Sequence, residues 1–110
     1  MDVNYEKKDK LLLINFTEEI DHHTTEKIRR RADYEIERYV PRKVIFDFNK
    51  VSFMDSAGIG LIIGRYKLIK IIGGNLQVAN LNTSVRKIFE MSGLFKIIQE
   101  IEIEKKEVSI

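Results

Sequence analysis

Met54-Asp55-Ser56-Ala57-Gly58-Ile59-Gly60 stands between an apolar strand-like segment and an apolar helix-like one. This run puts one serine hydroxyl where a helix begins. Helix starts carry free backbone N–H groups and the positive end of the dipole, so a phosphate is well tolerated there. A loop is also where a partner can reach a side chain. The chemistry that fits is phosphorylation of Ser56. Asp55 suits an N-cap, and its carboxylate can also orient the neighbouring hydroxyl. Ser52, at a strand exit, and Ser92, at a helix end, fit less well. The negative end of the dipole at Ser92 disfavours phosphate.

Other chemistries fit poorly. A nucleophile elbow reads G-x-S-x-G, and here Met54 replaces its first glycine while Gly58 keeps the second. The acid and histidine of a triad should follow the serine, but His22 and His23 both precede it. Adjacent histidines point in different directions and lack the His-x-x-x-His spacing of a metal site, so a surface or capping role is expected. Gly58-Ile59-Gly60 lacks the third glycine of a dinucleotide loop, and no phosphate-loop lysine motif is present. Gly64 is expected to let its helix lie close on a sheet. Gly58 either does the same or admits a partner. Asp21, in Glu18-Glu19-Ile20-Asp21-His22-His23, is either a cap for the next helix or a surface contact.

The 110 residues suit one domain spanning 1–110, and 44% hydrophobic with 33% charged content suits a core in a soluble shell. The net charge of +2 is small, and Arg29-Arg30-Arg31 is followed by Asp33, Glu35 and Glu37. No basic stripe marks a nucleic-acid partner. With no cysteine there is no disulfide or thiolate chemistry, which fits a reducing cytoplasm. Neither a signal peptide nor a membrane-spanning run is expected. The longest apolar stretch, around 59–72, is broken by Gly64, Arg65, Lys67 and Lys70.

Residues 3–7 and Leu11–Asn15 read as a hairpin around Lys8-Asp9-Lys10. Residues 23–39 read as a helix with Ile28, Ala32, Ile36 and Tyr39 inward and Thr24 or Thr25 as N-cap; Pro41 follows its end. Val44–Phe48 is a strand buried on both faces. Residues 57–72 form a helix whose stripe is Ile59, Ile62, Ile63, Tyr66 and Ile69, ended by Gly73-Gly74. Leu76–Ala79 is the next strand. Asn82-Thr83-Ser84 caps a helix through Met91, with Val85, Ile88 and Phe89 inward and Gly93 at its end. Phe95–Ile98 reads as a last buried strand or edge, and no element is assigned to the charged tail 101–110. Strand–helix alternation predicts an α/β fold: one mixed sheet with an N-terminal hairpin, parallel pairing after residue 40, and helices mainly on one face.

Phe53-Met54-Asp55-Ser56-Ala57-Gly58-Ile59-Gly60 with Gly64-Arg65-Tyr66-Lys67 resembles the STAS domains of bacterial anti-sigma factor antagonists. Asp21-His22-His23-Thr24, Ile71-Ile72-Gly73-Gly74 and Met91-Ser92-Gly93-Leu94-Phe95-Lys96-Ile97-Ile98 sharpen the likeness towards the sporulation members, which act on the anti-sigma-F factor. The similarity runs over about residues 10–98. Ala57 stands where the family often has serine or threonine, which leaves Ser56 the sole acceptor in the loop. The family usually closes with an amphipathic helix, whereas Ile101-Glu102-Ile103 alternates.

The resemblance implies partner switching. The unphosphorylated protein binds an anti-sigma factor that is also a serine kinase, freeing the sporulation sigma factor. The kinase phosphorylates Ser56 with ATP, the complex parts, and a PP2C-type phosphatase restores it. The protein is then substrate and ligand with no catalysis of its own, no cofactor or metal, and no direct nucleic-acid or membrane partner. Alternatives are a general-stress antagonist with the same mechanism, or a ligand-sensing or transporter-regulating module that is not phosphorylated. Loops that follow parallel strands gather at one edge of a sheet. Asp21, Asp55, Ser56, Gly58 and Ile59 are therefore expected on one kinase-binding surface. Asp21 would give a polar contact, Ile59 apolar area, and Gly58 close approach.

Overall fold

The segment Leu11–Asn15 alternates half-buried and buried residues, which marks one face of a sheet as core. In the computed structural model, which describes residues 1–103, this segment is the second of five strands. They are β1 (Asp2–Glu6), β2 (Leu11–Asn15), β3 (Lys43–Asp47), β4 (Asn75–Ala79) and β5 (Gln99–Ile101), side by side in chain order. β1 and β2 pair antiparallel; β2 through β5 pair parallel. Parallel neighbours need crossovers. These contain α1 (Thr25–Tyr39), α2 (Ser56–Ile71) and α3 (Thr83–Ser92).

The register aligns Leu12, Val44 and Leu76 in one row and Ile14, Phe46 and Val78 in the next-but-one. All six are buried. They join Ile28, Ala32 and Ile36 of α1, Ile62 and Ile69 of α2, and Val85 and Phe89 of α3 in one apolar cluster. The helices cover this face, as the alternation predicts. Phe16 and Phe48 stand one residue past β2 and β3. Phe16 meets Phe46 and Phe48 at ring-centroid distances of 5.1 and 5.3 Å, and Phe48 meets Phe89 at 5.6 Å. These aromatic contacts form a floor under the loops that leave the two central strands.

An ion pair joins α1 to α2. Arg65, only 9% exposed, brings Nε to 2.6 Å from Asp33 Oδ1, and its Nη1 donates to the Leu61 carbonyl. The Asp33 contact is close but poorly aligned as a hydrogen bond. Burial lowers the Arg65 pKa and Asp33 raises it again. A guanidinium stays charged under such a shift.

Several elements differ from the expectations, each for a physical reason. Phe95–Ile98 is not a strand. Gly93 takes a left-handed conformation (φ 78°), Leu94–Lys96 forms a 3-10 turn, and Ile98 N–H donates to Leu94 O. Leu94 and Ile98 are the buried pair, a spacing of four that belongs to a turn of helix. The last strand starts later, at Gln99. The buried face of α2 is Gly58, Leu61, Ile62, Arg65 and Ile69; Ile59, Ile63 and Tyr66 are only half-buried. A helix apolar nearly all round has no single stripe to read. Thr24 holds the N-cap position of α1 without capping it through its side chain. Residues 104–110 lie outside the described residues, so the question of a closing helix falls there.

The glycines of α2 divide into two kinds. A Cβ on Gly58 would come within 2.4 Å of Met54 Cγ and 3.2 Å of Ile20 Cγ2, both on fully buried side chains. A Cβ on Gly64 would meet nothing within 4 Å, so the expected close packing of Gly64 on the sheet is absent. Alanine is the better helix former by about 0.5–1 kcal/mol. Gly64→Ala should therefore raise stability by about that amount. Gly58→Ala should lower it by about 1–3 kcal/mol, because overpacking outweighs the helix gain. Urea unfolding of the two variants beside wild type reads both signs.

Candidate functional site

The Asp55 backbone is extended (φ −102°, ψ −172°) just before α2, so its side chain folds back over the helix start. Oδ1 accepts from the Ala57 N–H at 2.8 Å, the N-cap expected of it. Oδ2 accepts from the His22 N–H at 3.3 Å and lies 3.6 Å from His22 Nδ1. Burial works against ionisation of Asp55, but the N–H groups of Ala57 and His22 and then the His22 ring hold its carboxyl below the ordinary value. A depressed carboxyl pKa stabilises the fold above the ordinary value and loses that contribution as pH falls through the lower one. At neutral pH the cap is in place.

His22 belongs to the other loop, the one leaving β2. There Ile20 forms an isolated parallel bridge with Met54. Ile20 N–H donates to Phe53 O and Asp55 N–H to Ile20 O, each at 3.1 Å. The β2–β3 pairing thus resumes beyond the strand ends and draws Asp21 and Ser56 to one edge of the sheet. Asn82 ties in a third segment. Its Oδ1 accepts from Val85 N–H at 2.8 Å, capping α3, while its Nδ2 donates to Val51 O at 3.0 Å.

Each expected site residue has a definite place. Ser56 is exposed at the first position of α2. Asp21 builds the turn before α1: its Oδ1 accepts from His23 N–H at 2.8 Å and Thr24 N–H at 3.1 Å. The Thr24 hydroxyl accepts from Asp21 N–H at 3.0 Å and donates to Glu19 O at 2.8 Å, which is why it leaves the capping of α1 to others. Asp21 Oδ2 takes no hydrogen bond among the described residues. Gly58 is buried, and its need for glycine is internal. Ile59 is half-buried.

Ile59 also lines a shallow groove of about 210 Å³ between α2 and α3, together with Ser56, Ile88, Met91 and Ser92. Sequence reading missed this groove. Ile88 was expected inward but is half-buried at the groove, and Met91, on the last turn of α3, is 82% exposed. Phe53, 47% exposed, adds apolar surface beside the bridge. The signal that could have found the groove is the i, i+3 pair Ile88 and Met91, just before the glycine that ends α3. A larger hollow of about 600 Å³ lies around the ends of β4 and β5, lined by Arg86 and Glu100, which pair with each other. It shares no residue with the groove.

This arrangement presents a hydroxyl, an uncommitted carboxylate oxygen and an apolar groove, with two loops locked together beneath them. It can accept a phosphate and bind a protein.

The sequence matches the STAS domain over residues 2–109. It is 40% identical over 88 residues to the anti-sigma F factor antagonist of Paenibacillus polymyxa, covering 80% of this chain and 75% of that protein. The fold is similar to that of the anti-sigma factor antagonist SpoIIAA in its unphosphorylated form (TM-score 0.78, 29% identity, 96% of this chain and 90% of that one). It is also similar to the Bacillus cell fate determinant SpoIIAA in the phosphorylated form (TM-score 0.70, 28% identity, 96% and 93% of the two chains). The hairpin-led parallel sheet, the capped serine after its third strand and these likenesses converge: the chain belongs to the STAS domain family.

Proposed function

We propose that this protein is an anti-anti-sigma factor with Ser56 as its switch. The observation that carries the reading is the exposed Ser56 at an Asp55-capped helix start, beside an apolar groove, in a chain so similar to an anti-sigma F factor antagonist. Unphosphorylated, the protein binds an anti-sigma factor through Asp21, Ser56 and Ile59, with the flanking Ile88 and Met91. That releases the sporulation sigma factor. Asp55 acts from behind, fixing the helix start. Gly58 acts from beneath, keeping the first turn close to Met54. The anti-sigma factor is a serine kinase that transfers phosphate from ATP to Ser56, and a PP2C-type phosphatase removes it. The protein is substrate and ligand in the cytoplasm, and the chemistry belongs to its partners.

Magnitudes support the switch. A phosphoserine carries about −1.5 to −2 charges near neutral pH. One unit pair about 5 Å apart at an effective dielectric of about 20 is worth roughly 3 kcal/mol. About 1.4 kcal/mol is tenfold in affinity, so a phosphate held against an apolar or acidic partner surface weakens binding by orders of magnitude.

The test is to incubate the protein with a sporulation anti-sigma factor and ATP and locate the phosphate by mass spectrometry. Ser56 should be the only acceptor; phosphate on Ser52, Ser92 or a threonine in Ser56→Ala would sink the reading. Ser56→Asp should bind the anti-sigma factor at least tenfold more weakly with its melting midpoint nearly unchanged, and equal affinity in a calorimetric titration would refute the charge argument.

Asp21 separates the surface from the fold. Asp21→Asn keeps an oxygen for the His23 and Thr24 N–H groups but removes the charge. It should weaken binding several-fold and move the melting midpoint little. Earlier melting with unchanged affinity would assign Asp21 to the fold alone.

A further inference from the structure

The chain has three methionines, and they stand in different surroundings. Met54 is fully buried under Gly58. Met1 is half-buried, packed against the core, with its amine donating to the Thr17 hydroxyl at 2.7 Å. Met91 is 82% exposed and lines the groove that holds Ser56 and Ile59. A thioether in that position is open to small oxidants, and it lies inside an apolar contact surface.

We propose that Met91 is a second, oxidative switch on the Ser56 groove, converted by a peroxide to the sulfoxide and thereby turned against the partner. The inference rests on the reading of this groove as the anti-sigma factor's docking surface. The step balances with hydrogen peroxide alone. The sulfur lone pair attacks one peroxide oxygen, the O–O bond breaks, and an S–O bond forms. Water leaves with both hydrogens, so sulfur is oxidised by two electrons and the peroxide reduced by two. The product is a polar, chiral acceptor on a flexible side chain. In the free protein it stays in water, and the fold is undisturbed because Met91 contributes little to the core. In the complex it must give up that water without a partner, which costs affinity. Phosphate on Ser56 and oxygen on Met91 thus act on the same groove, one through charge and one through desolvation. The second needs no kinase and is undone by methionine sulfoxide reductases.

The experiment treats the whole protein with graded hydrogen peroxide, maps oxidation by peptide mass spectrometry, and titrates each sample with the anti-sigma factor. Met91 should oxidise well ahead of Met1 and Met54. Binding should weaken about tenfold or more as Met91 sulfoxide accumulates, with the melting midpoint unchanged. Reductase treatment should restore binding, and Met91→Leu should keep after peroxide whatever affinity it has before it. Earlier oxidation of Met54 or Met1, unchanged affinity at full Met91 oxidation, a lowered melting midpoint, or equal loss in Met91→Leu each overturns the proposal. Untreated protein that does not bind the anti-sigma factor overturns the reading beneath it. Binding that survives oxidation overturns only the oxidative switch.

Discussion

The short parallel bridge between Ile20 and Met54 is the constraint on which the site depends. Two loops leaving adjacent parallel strands have no intrinsic reason to stay together. Here the hydrogen bonds between Ile20, Phe53 and Asp55 continue the pairing of β2 and β3 past the strand ends, and the Asp55 carboxylate spans the remaining gap to His22. One carboxylate therefore does two jobs, starting α2 and fastening the neighbouring loop. A single backbone geometry sets where Ser56, Asp21 and the first turn of α2 stand relative to one another.

The same bridge explains the glycine at 58. Met54 points into the core from the bridge, and the first turn of α2 passes directly above it. Only a residue without a Cβ lets the helix begin that close. At 60 and 64 nothing approaches within 4 Å of the added carbon, so no internal packing demands glycine there. The motif's glycines look alike in the sequence but answer to different neighbours.

Most of the fold could be read from the sequence because its signals are local. The apolar run from Leu11 after the polar tip Lys8-Asp9-Lys10, the turn residues Gly73 and Gly93, and the caps Asp55 and Asn82 each act within a few residues. The site was legible in part for the same reason: Ser56 and Asp55 announce a helix start by type and position. What was not legible depends on tertiary packing. α2 is apolar on nearly every side, so which side faces the sheet is decided by where Met54 and Asp33 stand. The i, i+3 spacing of Ile88 and Met91 shows that they share a side of α3, but they become part of a site only because α3 lies alongside α2. Phe95–Ile98 reads as strand because a short apolar run has no period to read until Gly93 turns the chain.

Phosphate on this scaffold has to expel a partner without unfolding its host. The helix dipole offsets only about 0.3–2 kcal/mol of the charge, and Asp55 sits next to the modified residue with a charge of the same sign. Asp55 is screened from that conflict by its bonds: both its oxygens are engaged by N–H groups of Ala57 and His22. Ser56, by contrast, opens on the side of Ile59, Ile88 and Met91, where no cation lies among the groove-lining residues. The free protein leaves that side in water, so the phosphate is solvated and costs the fold little. A bound partner would remove the water and offer apolar surface in its place, and the cost then appears at the interface. The division between a satisfied helix start and an unsatisfied groove is what lets one modification act on binding and spare stability.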